Sequence, residues 1–110
     1  MSNHEDKIVI FVTASSQNEA YNLGKKLIEE RLAACCNIIP GIQSIYWWDG
    51  KVTEDPEILL MIKTKKEAEQ KIFETIKSLH SYDLPEMISF PIQGGYQQYL
   101  DWIDKNVIIK

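Results

Sequence analysis

The chain has 110 residues, 45% apolar and 25% charged, with twelve Lys and Arg against sixteen Asp and Glu for a net charge of -4. That suits a single folded domain over residues 1–110 with its own apolar core, and it argues against disorder and against a nucleic-acid partner held by the phosphate backbone. The longest apolar run, Ile58 to Ile62, is far short of the ~20 residues of a membrane span, and the polar start Met1 to Lys7 has no signal-type apolar stretch after it, so a cytoplasmic protein without membrane partners is expected.

Lys7 to Ala14 is a β-branched apolar run and predicts a buried first strand. Ser16 with Glu19 three residues on predicts a capping box, and Ala20, Leu23, Leu27 and Ile28 continue at helical spacing to an end near Leu32. Ala34 to Trp48 turns β-branched and aromatic, with Pro40-Gly41 marking a bulge or edge. Asp49-Gly50 is a strong hairpin signal, and Lys51 to Thr64 is the return strand, with Pro56 again at a bulge or edge. Thr64 with Glu67 reads as a second capping box before a helix carrying Ala68, Ile72, Ile76 and Leu79 and ending near His80. Leu84-Pro85 forces an extended entry into a fourth strand, Glu86 to Ile92. Gly94-Gly95 breaks it, Tyr96, Tyr99, Leu100 and Ile103 lie on one face of a short third helix, and Val107 to Ile109 form a terminal apolar stub.

The order is β-α-β-β-α-β with an added C-terminal helix, the α+β class in a ferredoxin-like split βαβ arrangement, with both main helices on one face of an antiparallel sheet. Hairpin arms of roughly 14 residues could reach ~45 Å, well beyond a domain of this size, whose radius of gyration is near ~13 Å. Such an arm either curls back on its own domain or pairs with another subunit. Its aromatic tip, Tyr46 and Trp47 with Trp48, favours pairing in a closed ring of identical subunits.

Four groups of residues could carry chemistry. Cys35 and Cys36 cannot pair with each other in an ordinary disulfide, and on a strand they face opposite ways, so one is free to be a soft metal ligand. His80, Tyr82, Asp83 and Glu86 pack an imidazole, a phenol and two carboxylates into seven residues. That set suits Cu(II), Ni or Zn, or acid–base work, while a His at a helix end also complements the helix dipole. The aromatic hairpin tip with Lys51 could stack a planar ligand. Glu54, Asp55 and Glu57 lack the spacing of a calcium loop and read as a solvated hairpin edge. No glycine-rich phosphate loop, CxxC or HExxH is present.

The run Glu30 to Pro40 (ERLAACCNIIP) closely resembles the ERLAACVN-type motif of the CutA divalent-cation tolerance family. Further similar stretches follow in family order: Ser44 to Trp48 with Gly50-Lys51, Glu57 to Thr64, His80 to Glu86 (HSYDLPE), and Tyr99 to Trp102. Together they cover nearly the whole chain. The resemblance implies a homotrimer whose long hairpins pair across subunits, an architecture like that of the PII signalling proteins, and a non-catalytic role in tolerance to divalent cations, copper above all. It implies Cys35, His80 and Glu86 as metal ligands, with Cys36 a core substitution. It also implies Trp48, Lys63 and Tyr82 in a cleft between subunits, and Tyr46 and Trp47 at the oligomer interface. Early-strand Cys or His ligands of some members have no counterpart in Lys7 to Ala14. The cofactor expected is Cu(I), Cu(II) or another divalent cation, with no organic group. The alternative is a PII-like sensor binding a small anionic ligand in the cleft, with Lys63 and His80 as cationic contacts.

Overall fold

The computed structural model describes residues 6–110, so His4 lies outside the described residues. Its elements are β1 (Lys7–Ala14), α1 (Gln17–Glu29), β2 (Cys35–Trp48), β3 (Lys51–Lys65), a single 3-10 turn (Lys66–Ala68), α2 (Glu69–Leu79), β4 (Met87–Pro91) and α3 (Gln97–Asn106). The strands form one sheet in the order β2-β3-β1-β4, antiparallel at every pairing. Element order and sheet order are those of the split βαβ arrangement expected from the sequence.

Strand alternation explains the core. Ile8, Ile10 and Val12 of β1 and Leu60 and Ile62 of β3 point to one face and are buried there. Leu23 and Leu27 of α1, Ile72 and Ile76 of α2, and Leu100 and Ile103 of α3 belong to the same core. α1 approaches β2 closely because Gly24 has no side chain; a Cβ there would meet the Cβ of Cys36 at 3.2 Å. The alternate residues, Val9, Phe11, Leu59, Met61, Ile88 and Phe90, form an apolar face of which Ile88 and Phe90 are exposed. Phe11 and Phe90 meet edge to face on it, with centroids 4.7 Å apart.

The Asp49-Gly50 turn has positive φ at both residues, 51° and 72°, as a type I′ hairpin requires. A bulge between Ile39 and Ile42 falls at Pro40-Gly41. β1 pairs with β3 only from Ile58 to Lys65, so the outer arm from Lys51 to Glu57 has a neighbour on the β2 side alone. The hairpin projects, giving extents of 49 × 25 × 21 Å and a radius of gyration of 14.6 Å.

Two helix boundaries differ from expectation for identifiable reasons. α1 stops at Glu29 because Arg31 takes a left-handed conformation (φ 61°); the Arg31 and Leu32 amides then donate to the carbonyls of Ile28 and Leu27 in a Schellman-type stop. The second capping box does not form. Thr64 is buried in β3, and its hydroxyl donates to the Leu32 carbonyl at 2.6 Å, so the chain enters α2 through the 3-10 turn without a side-chain cap. The first box forms in altered form. Ser16 Oγ accepts from the Glu19 amide, but the Glu19 carboxylate accepts from the amide of Ser15, one residue earlier than in the standard motif.

Replacing Thr64 by Val keeps the β-branch and leaves the Leu32 carbonyl without its partner. The expected loss is about 1–2 kcal/mol in urea unfolding at fixed protein concentration.

Candidate functional site

β1 ends at Ala14, opposite Ile58, and the segment between α2 and β4 occupies the space beside β3 beyond that point. Four hydrogen bonds fix this segment. His80 caps α2, and its fully buried ring places Nε2 2.8 Å from the Thr13 carbonyl, while Nδ1 accepts from the Tyr82 amide at 3.0 Å. A backbone N–H donor facing Nδ1 and a carbonyl acceptor facing Nε2 set the Nε2–H tautomer. The Ser81 amide donates to Glu19 at 2.8 Å, and Lys77 Nζ donates to the Asp83 carbonyl at 2.7 Å.

Tyr82 then reaches β3, its hydroxyl donating to Glu57 at 2.8 Å. Glu57 is 8% exposed, not part of a solvated edge as its acidic neighbours suggested. It is the first residue of β3 past the end of β1, and the segment over it takes the place a strand would have filled. Between this segment and the hairpin tip lies a cleft of about 700 Å³, with Tyr46, Trp48, Glu57, Tyr82 and Glu86 among its walls. Ser44 to Trp48 supply one side, and Asp83 to Glu86 the other. Tyr46 and Trp48 sit across from Thr53 and Lys51, on the same face of the hairpin as Glu57.

The electrostatics are one-sided. Among the described residues, no Lys or Arg lines the cleft. The Glu86 carboxyl, exposed at the mouth, is held above the usual carboxylate range by partial loss of water and then by the Glu57 charge. Burial, followed by the bond to Glu57, pushes the Tyr82 phenol up. Tyr46 donates a hydrogen bond to Asp55 at the tip, which raises its phenol too.

The structure gathers Trp48, Tyr82 and Glu86 with Tyr46 and Trp47 around the cleft, and it leaves the other expected residues outside. Cys35 pairs with Lys63, four residues along β3 from the level of Thr13, which is ~13 Å along the strand. Lys63 lies with its ammonium 5.8 Å from the Tyr99 ring. His80 stands behind the cleft wall with both nitrogens engaged. Cys35, His80 and Glu86 therefore do not converge in one protomer, and no cluster of three His, Cys, Asp or Glu side chains suited to a metal occurs among the described residues. Lys63 and His80 likewise supply no cation to an anionic ligand within the protomer's own cleft. Cys36 packs beneath α1, its thiol pushed up to about 12 by burial and then by Cys35, which makes it a core thiol.

Two residues carry more than the sequence reading gave them. Glu57 sat in an acidic run; the signals that set it apart were its place directly before the apolar stretch Ile58 to Ile62 and at the head of the family-like stretch Glu57 to Thr64. Glu19 was legible as a helix-capping residue, but its contact with Ser81, 62 residues away, has no local signature.

The chain matches the family described as CutA1 divalent ion tolerance protein over residues 8–106. It is 48% identical to the divalent-cation tolerance protein CutA of Thermus thermophilus over 98 residues, 89% of this chain and 95% of that one. It is 47% identical to the chloroplastic protein CutA 1 of Oryza sativa over 96 residues, 87% of this chain and 54% of that relative. The crystal structure of CutA1 from Oryza sativa superposes with a TM-score of 0.91 at 43% identity, covering 94% of this chain and 95% of that one.

Burial works against the Glu19 charge, but hydrogen bonds from Ser15 and Ser81 outweigh it and bring the carboxyl down to about 2. A depressed folded-state value means stability that is fully present above the unfolded value of 4.5 and is lost as pH falls toward 2. One oxygen faces Ser15 and the other Ser81, so in Glu19→Gln the amide must turn N–H toward N–H at one of them. The variant is expected to lose about 1–2 kcal/mol at pH 7 and to show a shallower fall in stability between pH 4.5 and 2, read from urea midpoints across that range.

Proposed function

The chain belongs to the CutA1 divalent ion tolerance family, and on that premise we propose that it is a homotrimeric, non-catalytic cation-binding protein of the cytosol. The observation that carries the proposal is the cleft: carboxylates at Glu57 and Glu86, phenols at Tyr46 and Tyr82, and no Lys or Arg among its described lining residues. Such a field attracts a cation and repels an anion. The Glu86 carboxyl is raised first by partial loss of water and then by the Glu57 charge, with no cation beside it among the cleft's lining residues.

The ligand set differs from the one the resemblance implied. Glu57 and Glu86 are the first donors, and water or a neighbouring subunit completes the shell. Oxygen donors suit a divalent ion, Cu(II) included, and do not suit Cu(I), which takes thiolate. Cys35 stands too far along the sheet to join them in one protomer. The non-catalytic reading rests on His80, the one imidazole near the cleft among the described residues, whose two nitrogens are already bonded. The trimer is supported by the apolar sheet face bearing Ile88 and Phe90, and by a hairpin that leaves Ile45 65% and Trp47 74% exposed in a lone chain. The PII-like reading keeps its support only if a neighbouring subunit brings Lys63 to the cleft.

Sedimentation of the purified protein is expected to give three times the 12.8 kDa chain mass. Phe90→Asp places a charge on the apolar face and is expected to shift that mass toward the monomer. In titrations with Cu(II) and Zn(II) against a competing chelator, the double variant Glu57→Gln, Glu86→Gln is expected to weaken binding at least about tenfold, with Cys35→Ser at the native value. Affinity lost in Cys35→Ser and kept in the double variant would move the site to the thiol end of the sheet.

A further inference from the structure

The His80 side chain is fully buried, and each element around it brings a defined group. β1 brings the Thr13 carbonyl, 2.8 Å from Nε2. α1 brings the Glu19 carboxylate, with Oε2 3.8 Å from Nδ1. The segment's own Tyr82 brings its amide, which donates to Nδ1 at 3.0 Å, and its ring, tilted with centroids 4.8 Å apart. On α2, Lys77 is turned to the Asp83 carbonyl, and on β3, Glu57 meets the Tyr82 hydroxyl. The charge beside Nδ1 is therefore an anion. Its carboxyl lies at about 2, so it stays ionised across the ~5–8 range in which histidines act as switches. A proton arriving at Nδ1 takes the lone pair that receives the Tyr82 N–H. Two N–H groups then face each other, and the new donor has Glu19 Oε2 beside it.

We infer that His80 is a proton-operated latch on the cleft wall: neutral, it holds the Tyr82 backbone; protonated at Nδ1, it releases that backbone and turns to Glu19. The two arrangements differ by one proton taken from solvent, one hydrogen bond lost at the Tyr82 amide and one ion pair gained at Glu19 Oε2. The Ser81 amide already donates to that oxygen at 2.8 Å, so the protonated ring competes with the next residue of the same segment. Release reaches the cleft through Tyr82, whose hydroxyl orders Glu57. The latch is closed at high pH and opens as pH falls. Every contact it uses lies within one chain, behind the wall, so it depends neither on the ligand in the cleft nor on a neighbouring subunit.

NMR of the metal-free protein tests this between pH ~8 and ~5, following the His80 ring nitrogens and the Tyr82 amide in the same samples. The control is His80→Gln, whose amide takes no proton and whose spectrum also separates the His80 signals from those of His4. In the native chain the Tyr82 amide is expected to shift with the midpoint of the His80 ring, and its hydrogen-exchange protection to fall at least about tenfold. In His80→Gln the Tyr82 amide is expected to be indifferent to pH over that range. Glu19→Gln, which removes the anion that receives the charged ring, is expected to move the midpoint to lower pH; it carries the comparison if His80→Gln does not fold. A ring that takes its proton while the Tyr82 amide stays protected overturns the inference. So does a ring that remains neutral until the whole protein unfolds, a Tyr82 amide that responds equally in His80→Gln, or a midpoint unmoved in Glu19→Gln.

Discussion

β1 is eight residues long and β3 is fifteen, and most of what distinguishes this molecule follows from that mismatch. The inner half of the hairpin sits inside a sheet, packed by α1 and α2 through Leu60 and Ile62. The outer half has no neighbour on its β1 side. Backbone groups along such an arm are left to solvent or to another chain. The segment from His80 to Glu86 answers part of that need by reaching Glu57 through Tyr82. The cleft is the space that remains.

The polar contacts behind the cleft act as one unit. Glu19 joins the start of α1 to Ser81, His80 joins the end of α2 to Thr13 near the end of β1, and Tyr82 joins both to β3. Each contact ties elements far apart in sequence, and each uses a group that is buried or half-buried, where a missing partner would be costly. The wall of the cleft is therefore set by the core and not by the flexibility of a loop. A histidine that looks like a ligand in the sequence serves here as a bracket, with its tautomer fixed by two backbone groups.

Local signals carried the fold well. The β-branched apolar run Lys7 to Ala14, the Asp49-Gly50 turn and the Pro40-Gly41 interruption each have a short-range cause, and each appears where its residues place it. The failures share a different origin. Thr64 has the sequence form of a cap, but a carbonyl 32 residues away takes its hydroxyl. Arg31 ends a helix that periodicity would have extended to Leu32, because the stop depends on a backbone conformation that Arg seldom adopts. For the site, the cluster from His80 to Glu86 was visible as a concentration of functional groups, but which groups face the cleft and which face the core was not. That division is decided by Thr13 and Glu19, neither of which borders the cluster in sequence.

The bulge between Ile39 and Ile42 has an effect that reaches the hairpin tip. Before it, the odd-numbered residues of β2 share a face with Leu59; after it, the even-numbered ones share that face with Glu57. One extra residue thus works as a phase switch, placing Tyr46 and Trp48 on the strand face that carries Glu57 and Ile45 and Trp47 on the other. Removing a residue from Pro40-Gly41 would exchange the two sets while leaving the inner sheet in register. The inner and outer halves of this hairpin are, in that sense, separate inheritances: the first answers to packing under the helices, and the second can be re-aimed by a single insertion or deletion without disturbing the core.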